Sequence, residues 1–148
     1  MRLVVPVILI FFIVFNKNKI TGSKDAADFF QPLLGDLNHE EFWVMLLNRG
    51  NKIQDTFMVS QGGVSGTVID VRLILKKAIQ QLASSIILCH NHPSGTMQAS
   101  DADLKITKKI SFHKNNFLND NSRNVSVEFV PARLLFLGLS PKIPKNGV

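Results

Sequence analysis

The chain has 148 residues, the length of one domain with a modest core. Its single cysteine, Cys89, excludes an intramolecular disulfide and gives no mark of an oxidising compartment. A net charge of +6 permits contact with nucleic acid or anionic surfaces, but the lysines are dispersed in pairs such as Lys76-Lys77 and Lys108-Lys109, so a solvated surface is the default reading.

Residues 3–15 form an unbroken apolar run, LVVPVILIFFIVF. The run is short of the roughly 20 residues that span a bilayer, and it fits the apolar region of a signal peptide better. No small-residue cleavage site follows it, and Pro6 interrupts it. Residues 1–19 are therefore read as a leader outside the domain. Membrane association through it is the less favoured reading, and a cytoplasmic protein is expected.

Ser23 is placed to cap a helix through DAADFFQPLL that ends near Gly35. EFWVMLLN reads as a buried strand, and the turn from Asn48 through Asn51 predicts a hairpin into KIQDTFMVS. The glycine-rich QGGVSG lacks the lysine and the spacing of a phosphate-binding loop, so conformational need is its reading. From Asp70 an amphipathic helix is predicted, with Val71, Ile74, Leu75, Ala78, Ile79 and Leu82 on one face. It leads into the apolar SSIILC, a predicted strand.

That strand runs into HNHPSGTMQASDAD, which sets out His90, His92, Ser100 and Asp103 as His-x-His-Pro, six residues, Ser, two residues, Asp. If the extended backbone continues through Asn91, the two imidazoles point to one side. Pro93, Ser94 and Gly95 then turn the chain. Ser100 is a predicted helix N-cap, which puts Asp103 in the first turn. Two imidazoles and a carboxylate with one open position make the layout of a catalytic zinc site. The ordinary alternative is a capping box between Ser100 and Asp103. Cys89 should face away from both histidines, so it reads as a buried small hydrophobe and not as a fourth ligand. His39 reads as a surface residue, and His113 is given no role.

The His-x-His-Pro-x6-Ser-x2-Asp pattern resembles the JAMM (MPN-plus) metalloprotease motif. In the form HNHPSG, preceded by ASSIILC and by GGVSGTVIDVRLILKKAI, it closely resembles the RadC-like JAB domain. The resemblance runs from about Ile20 to Ile110 and includes FQPLLGDLNHEEFWVMLLNRGNKI. It implies an α/β, JAB/MPN-like (cytidine-deaminase-like) domain over residues 20–148, with helices flanking a mixed, curved sheet. It further implies Zn2+ held by His90, His92 and Asp103, with the Ser100 hydroxyl stabilising an oxyanion. An upstream glutamate would act as general base; Glu40 in HEEF is the best match and Glu41 the adjacent competitor.

Both ends depart from the family pattern. The leader is foreign to it, since full-length relatives carry a small helical domain there. Residues 111–148 also diverge, with five asparagines between Asn115 and Asn124, as a shifted reading frame would produce. That stretch is expected to be poorly ordered, although VSVEFV reads as a strand and ARLLFLGL is apolar enough to pack. The function implied is zinc-dependent hydrolysis of a peptide or isopeptide bond in an unidentified protein substrate. The alternatives are a non-enzymatic RadC-family module of DNA repair or recombination and an inactive truncated relative. Any DNA binding is expected to be weak and salt-sensitive.

Overall fold

Both the odd and the even positions of EFWVMLL are mostly apolar, and such a strand belongs inside a sheet covered on two sides. The computed structural model, which describes residues 19–62, 69–95, 98–117 and 125–131, places it there. Strand β1 (Glu41–Leu47) lies between β2 (Ile53–Gln61) and β3 (Ser85–His90), antiparallel to both. Strand β4 (Ser126–Pro131) pairs parallel with β3 and completes the order β2-β1-β3-β4. With helices α1 (Ser23–Leu34), α2 (Val71–Gln80) and α3 (Asp101–Phe117), this is the expected mixed α/β architecture.

Alternation divides the apolar residues between two cores. Phe42, Val44 and Leu46 of β1, with Ile86 and Leu88 of β3, pack against Val71, Ile74, Leu75 and Ala78 of α2 and Ile110 of α3. On the opposite face Met45, Leu47, Ile87, Cys89 and Val130 meet Ala26, Ala27, Phe29, Phe30 and Leu34 of α1. Each fully buried Leu, Ile or Phe contributes about 1.5–3 kcal/mol relative to exposure, so β1 and β3 anchor both layers.

The hairpin between β1 and β2 turns where predicted. The Asn48 side chain accepts from the N–H groups of Gly50 and Lys52, and Asn51 takes a left-handed φ of 58°. Asp70 caps α2, accepting from the Arg72 N–H at 3.0 Å. The start of α1 differs from expectation. Gly22 is its N-cap, while Ser23 is already helical and buried. No side chain caps the helix from Gly22; instead the Asp25 carboxylate accepts from the backbone N–H and hydroxyl of Thr21 and ties the incoming chain to the first turn.

Beyond Ile110, α3 continues to Phe117, and VSVEFV forms β4, in register with β3 from Ser85↔Ser126 to His90↔Pro131. The Lys114 ammonium donates to the Val125 carbonyl at 2.5 Å, tying α3 to the start of β4. The sheet thus continues past the point where the family pattern fades. The apolar run at 3–15, most of the glycine-rich loop, residues 118–124 and the ARLLFLGL segment lie outside the described residues.

Candidate metal centre

Strand β3 presents Ile86, Leu88 and His90 to the α2/α3 side and Ile87 and Cys89 to the α1 side. Cys89 is fully buried on that far face, where burial pushes its thiol pKa well up, so it contributes nothing to the site. Strand β3 ends at His90, and past Asn91 the His92 ring returns to the side of His90. The two rings meet edge to face with centroids 4.7 Å apart. The chain then turns: the Gly95 N–H donates to the His92 carbonyl at 2.9 Å, and Gly95 takes a φ of 86°, open to glycine at little cost.

Helix α3 begins with a reciprocal cap. The Asp103 N–H donates to Ser100 Oγ at 3.2 Å, and the Ser100 N–H and hydroxyl donate to Asp103 Oδ2 at 2.8 and 2.7 Å. The same carboxylate presents Oδ1 to His90 Nδ1 at 2.9 Å and Oδ2 to His92 Nε2 at 3.3 Å. Capping and ligand clustering are therefore one arrangement, not rival readings. Asp103 is fully buried, which by itself raises its pKa; the hydrogen bonds from His90 and Ser100 outweigh that and hold it below the usual carboxylate range.

His90 Nε2 is buried and has no hydrogen-bond partner among the described residues. Buried polar atoms are nearly always satisfied, so an orphaned imidazole nitrogen beside another imidazole and a carboxylate fits a missing ligand. One donor atom from each of His90, His92 and Asp103 lies within 4.8 Å of the others, and the group can hold a metal ion. Nitrogen and carboxylate donors suit a borderline divalent ion.

The two glutamates diverge. Glu40, one residue ahead of β1, brings Oε2 to 3.7 Å from His90 Nε2. Glu41 points to the other face, where it accepts from the Trp43 indole N–H at 2.8 Å and lies 2.9 Å from His39 Nε2. The structure brings Glu40 to the cluster and leaves Glu41 out. Ser100 is exposed above the buried Asp103, and His113 is remote, stacked edge to face with Phe112. Sequence reasoning passed over Asn91, a buried amide whose partners lie more than forty residues earlier in the chain.

A family model of the RadC-like JAB domain matches residues 20–117. Among curated relatives, a UPF0758 protein of Flavobacterium johnsoniae is 53% identical over 92 residues, covering 62% of this chain and 40% of the relative. A UPF0758 protein of Porphyromonas gingivalis is 49% identical over 95 residues, 64% of this chain and 42% of its own length. One from Salinibacter ruber is 40% identical over 96 residues, 65% of this chain and 41% of the relative. The chain thus spans about two fifths of the curated relatives it matches.

Proposed function

We propose, proceeding from the fact that the chain belongs to the RadC-like JAB domain family, that it is a zinc-dependent hydrolase of peptide or isopeptide bonds. The observation that carries this reading is the buried His90–His92–Asp103 cluster with its orphaned His90 Nε2 and a glutamate beside it. Zinc held by those three residues would polarise a carbonyl and lower the pKa of water from about 15.7 towards about 7.

The protein's own groups supply the rest. Asp103 orients both imidazoles and keeps its negative charge, because its pKa is held low. The Glu40 carboxylate takes the proton of the attacking water and returns it to the leaving nitrogen. Its side chain is partly exposed, so the proton can be exchanged at the mouth of the site. The Ser100 hydroxyl, which donates to Asp103 Oδ2 at 2.7 Å, would have to turn from that carboxylate to donate to a developing oxyanion, a contact typically worth about 2.7–4 kcal/mol.

The test is a pair of variants assayed for zinc content and for cleavage of a panel of generic peptide and isopeptide substrates. Glu40→Gln should keep the metal and lose on the order of 10²-fold or more in turnover, because an amide cannot accept the proton. Glu41→Gln should leave turnover within about twofold, since Glu41 sits beside Trp43 on the face of β1 turned away from the cluster. Equal losses in both would refute the assignment of the base.

A further inference from the structure

The ladder between β1 and β3 has its last paired residues at Phe42↔His90, and past it the backbones are linked by a long bond from the Asn91 N–H to the Glu41 carbonyl at 3.4 Å. The backbone around Glu40 is held further by a side chain. The Asn91 Oδ1 accepts from the Glu41 N–H at 2.6 Å, and the Asn91 Nδ2 donates to the His39 carbonyl at 2.8 Å. These two backbone groups bracket Glu40, one on each side of it in sequence. From the opposite strand, the Gly62 N–H donates to the carbonyl of Glu40 itself at 2.8 Å. Gly62 has a φ of 93°, a conformation in which a side chain would be strained.

Asn91 is buried, with 4% of its surface exposed, and it sits between the two histidines of the cluster. The polarity of its partners fixes its amide: one end must accept and the other must donate. Aspartate lacks the donor, serine lacks the span, and leucine has neither. We propose that Asn91 is a positioning residue, whose side chain fixes the Glu40 peptide and so aims the Glu40 carboxylate at the metal site. One tripeptide, His90-Asn91-His92, then places both imidazoles on one side and the base by way of the other. The inference rests on the hydrolase reading for its consequence in turnover, but the bracketing of Glu40 is a separate physical claim.

The two are tested separately in the full chain. The first arm is amide hydrogen exchange by NMR, which needs no substrate. Asn91→Ala should speed exchange of the Glu41 N–H by roughly tenfold or more relative to the parent, while Val44 in the middle of β1 stays protected. Zinc affinity, measured by competition with a chromophoric chelator, should stay within about threefold, because Asn91 contacts no ligand atom. The second arm is hydrolysis of 4-nitrophenyl acetate by zinc-loaded protein. Asn91→Ala should lower kcat and leave KM unchanged, and it should add nothing on a Glu40→Gln background, since residues acting through one another are non-additive.

Asn91→Ser serves as the second variant if Asn91→Ala does not fold; it should show the same exchange signature. Unchanged Glu41 exchange in the folded variant overturns the proposal. So does loss of zinc alongside lost turnover, which would place the effect on the ligands, or an additive loss on the Glu40→Gln background. If Glu40→Gln itself retains full ester hydrolysis, the base assignment fails, and the exchange arm still decides whether Asn91 fixes the Glu40 peptide.

Discussion

Asp103 is one carboxylate with two tasks, starting a helix and orienting two imidazoles, and Ser100 couples them. Its hydroxyl donates to Asp103 Oδ2 while its oxygen accepts from the Asp103 N–H. Ser100→Ala should therefore retain the metal but weaken affinity about tenfold, as loss of a partner behind a ligand usually does. The missing cap should also cost about 1 kcal/mol of stability. Competition with a zinc-responsive dye and a thermal melt check both; unchanged values in each would mean the backbone N–H alone holds the carboxylate. These four residues were legible in the sequence because their geometry is local: strand parity aligns His90 with His92, and the first helical turn returns Asp103 to Ser100. The choice between Glu40 and Glu41 was not, since it depends on where β1 sits against β3. The same holds for Asn91, whose partners are 50 and 52 residues away in the chain.

At the level of elements, apolar patterns and cap residues pointed to every described strand and helix but misplaced their ends: β2, β3 and β4 each run one residue past the predicted stretch, and α2 stops short. Ile79 and Leu82 continue the apolar face predicted for α2, yet the helix stops at Gln80 and leaves Leu82 61% exposed. The Ala83 N–H folds back to the Ala78 carbonyl and the Leu82 N–H to Ile79, a C-terminal motif that puts Leu82 at a φ of 54°. Leucine there gives no sequence signal of a stop, because glycine is the residue usually found. Strand β4 misleads in another way. Its alternation sets Glu128 on the face shared with Val130, and that face is covered by α1. Burial accordingly raises the Glu128 pKa above its ordinary 4.5. A raised carboxyl pKa gives a contribution to stability that is complete below the unfolded value and is lost as pH rises through the folded one. Glu128→Gln should thus stabilise the protein at pH 7, by under about 1 kcal/mol because the group is only half-buried. The advantage should fade as pH falls towards 4.5, which melts of both proteins across that range would show. An advantage constant with pH would point to packing instead of charge.

For the molecule as a whole, the cluster ties the end of β3 to the first turn of α3, in addition to the core packing of Ile110 beside Ile86 and Leu88. His90 ends β3, His92 begins the turn, and Asp103 belongs to α3, which leads on through Ile110 and Lys114 to β4. Both cores share β1 and β3, so loosening one layer exposes strands that the other needs, and unfolding should be a single cooperative transition. An ion that binds only the folded arrangement stabilises it by about 2.7 kcal/mol at 100 times its dissociation constant. For a domain near this size that corresponds to a rise in Tm of about 5–10 °C. Zinc should raise the calorimetric Tm by that order, and EDTA should reverse it. The doubly substituted His90→Ala, His92→Ala protein should melt at one temperature with or without zinc, since a lone buried carboxylate cannot hold the ion. A zinc-dependent shift that survives in that variant would place the metal elsewhere on the chain. Absence of any shift in the parent, with the transition still cooperative, would mean that the folded cluster does not hold zinc, and that Asp103 serves the helix cap and the two imidazoles alone.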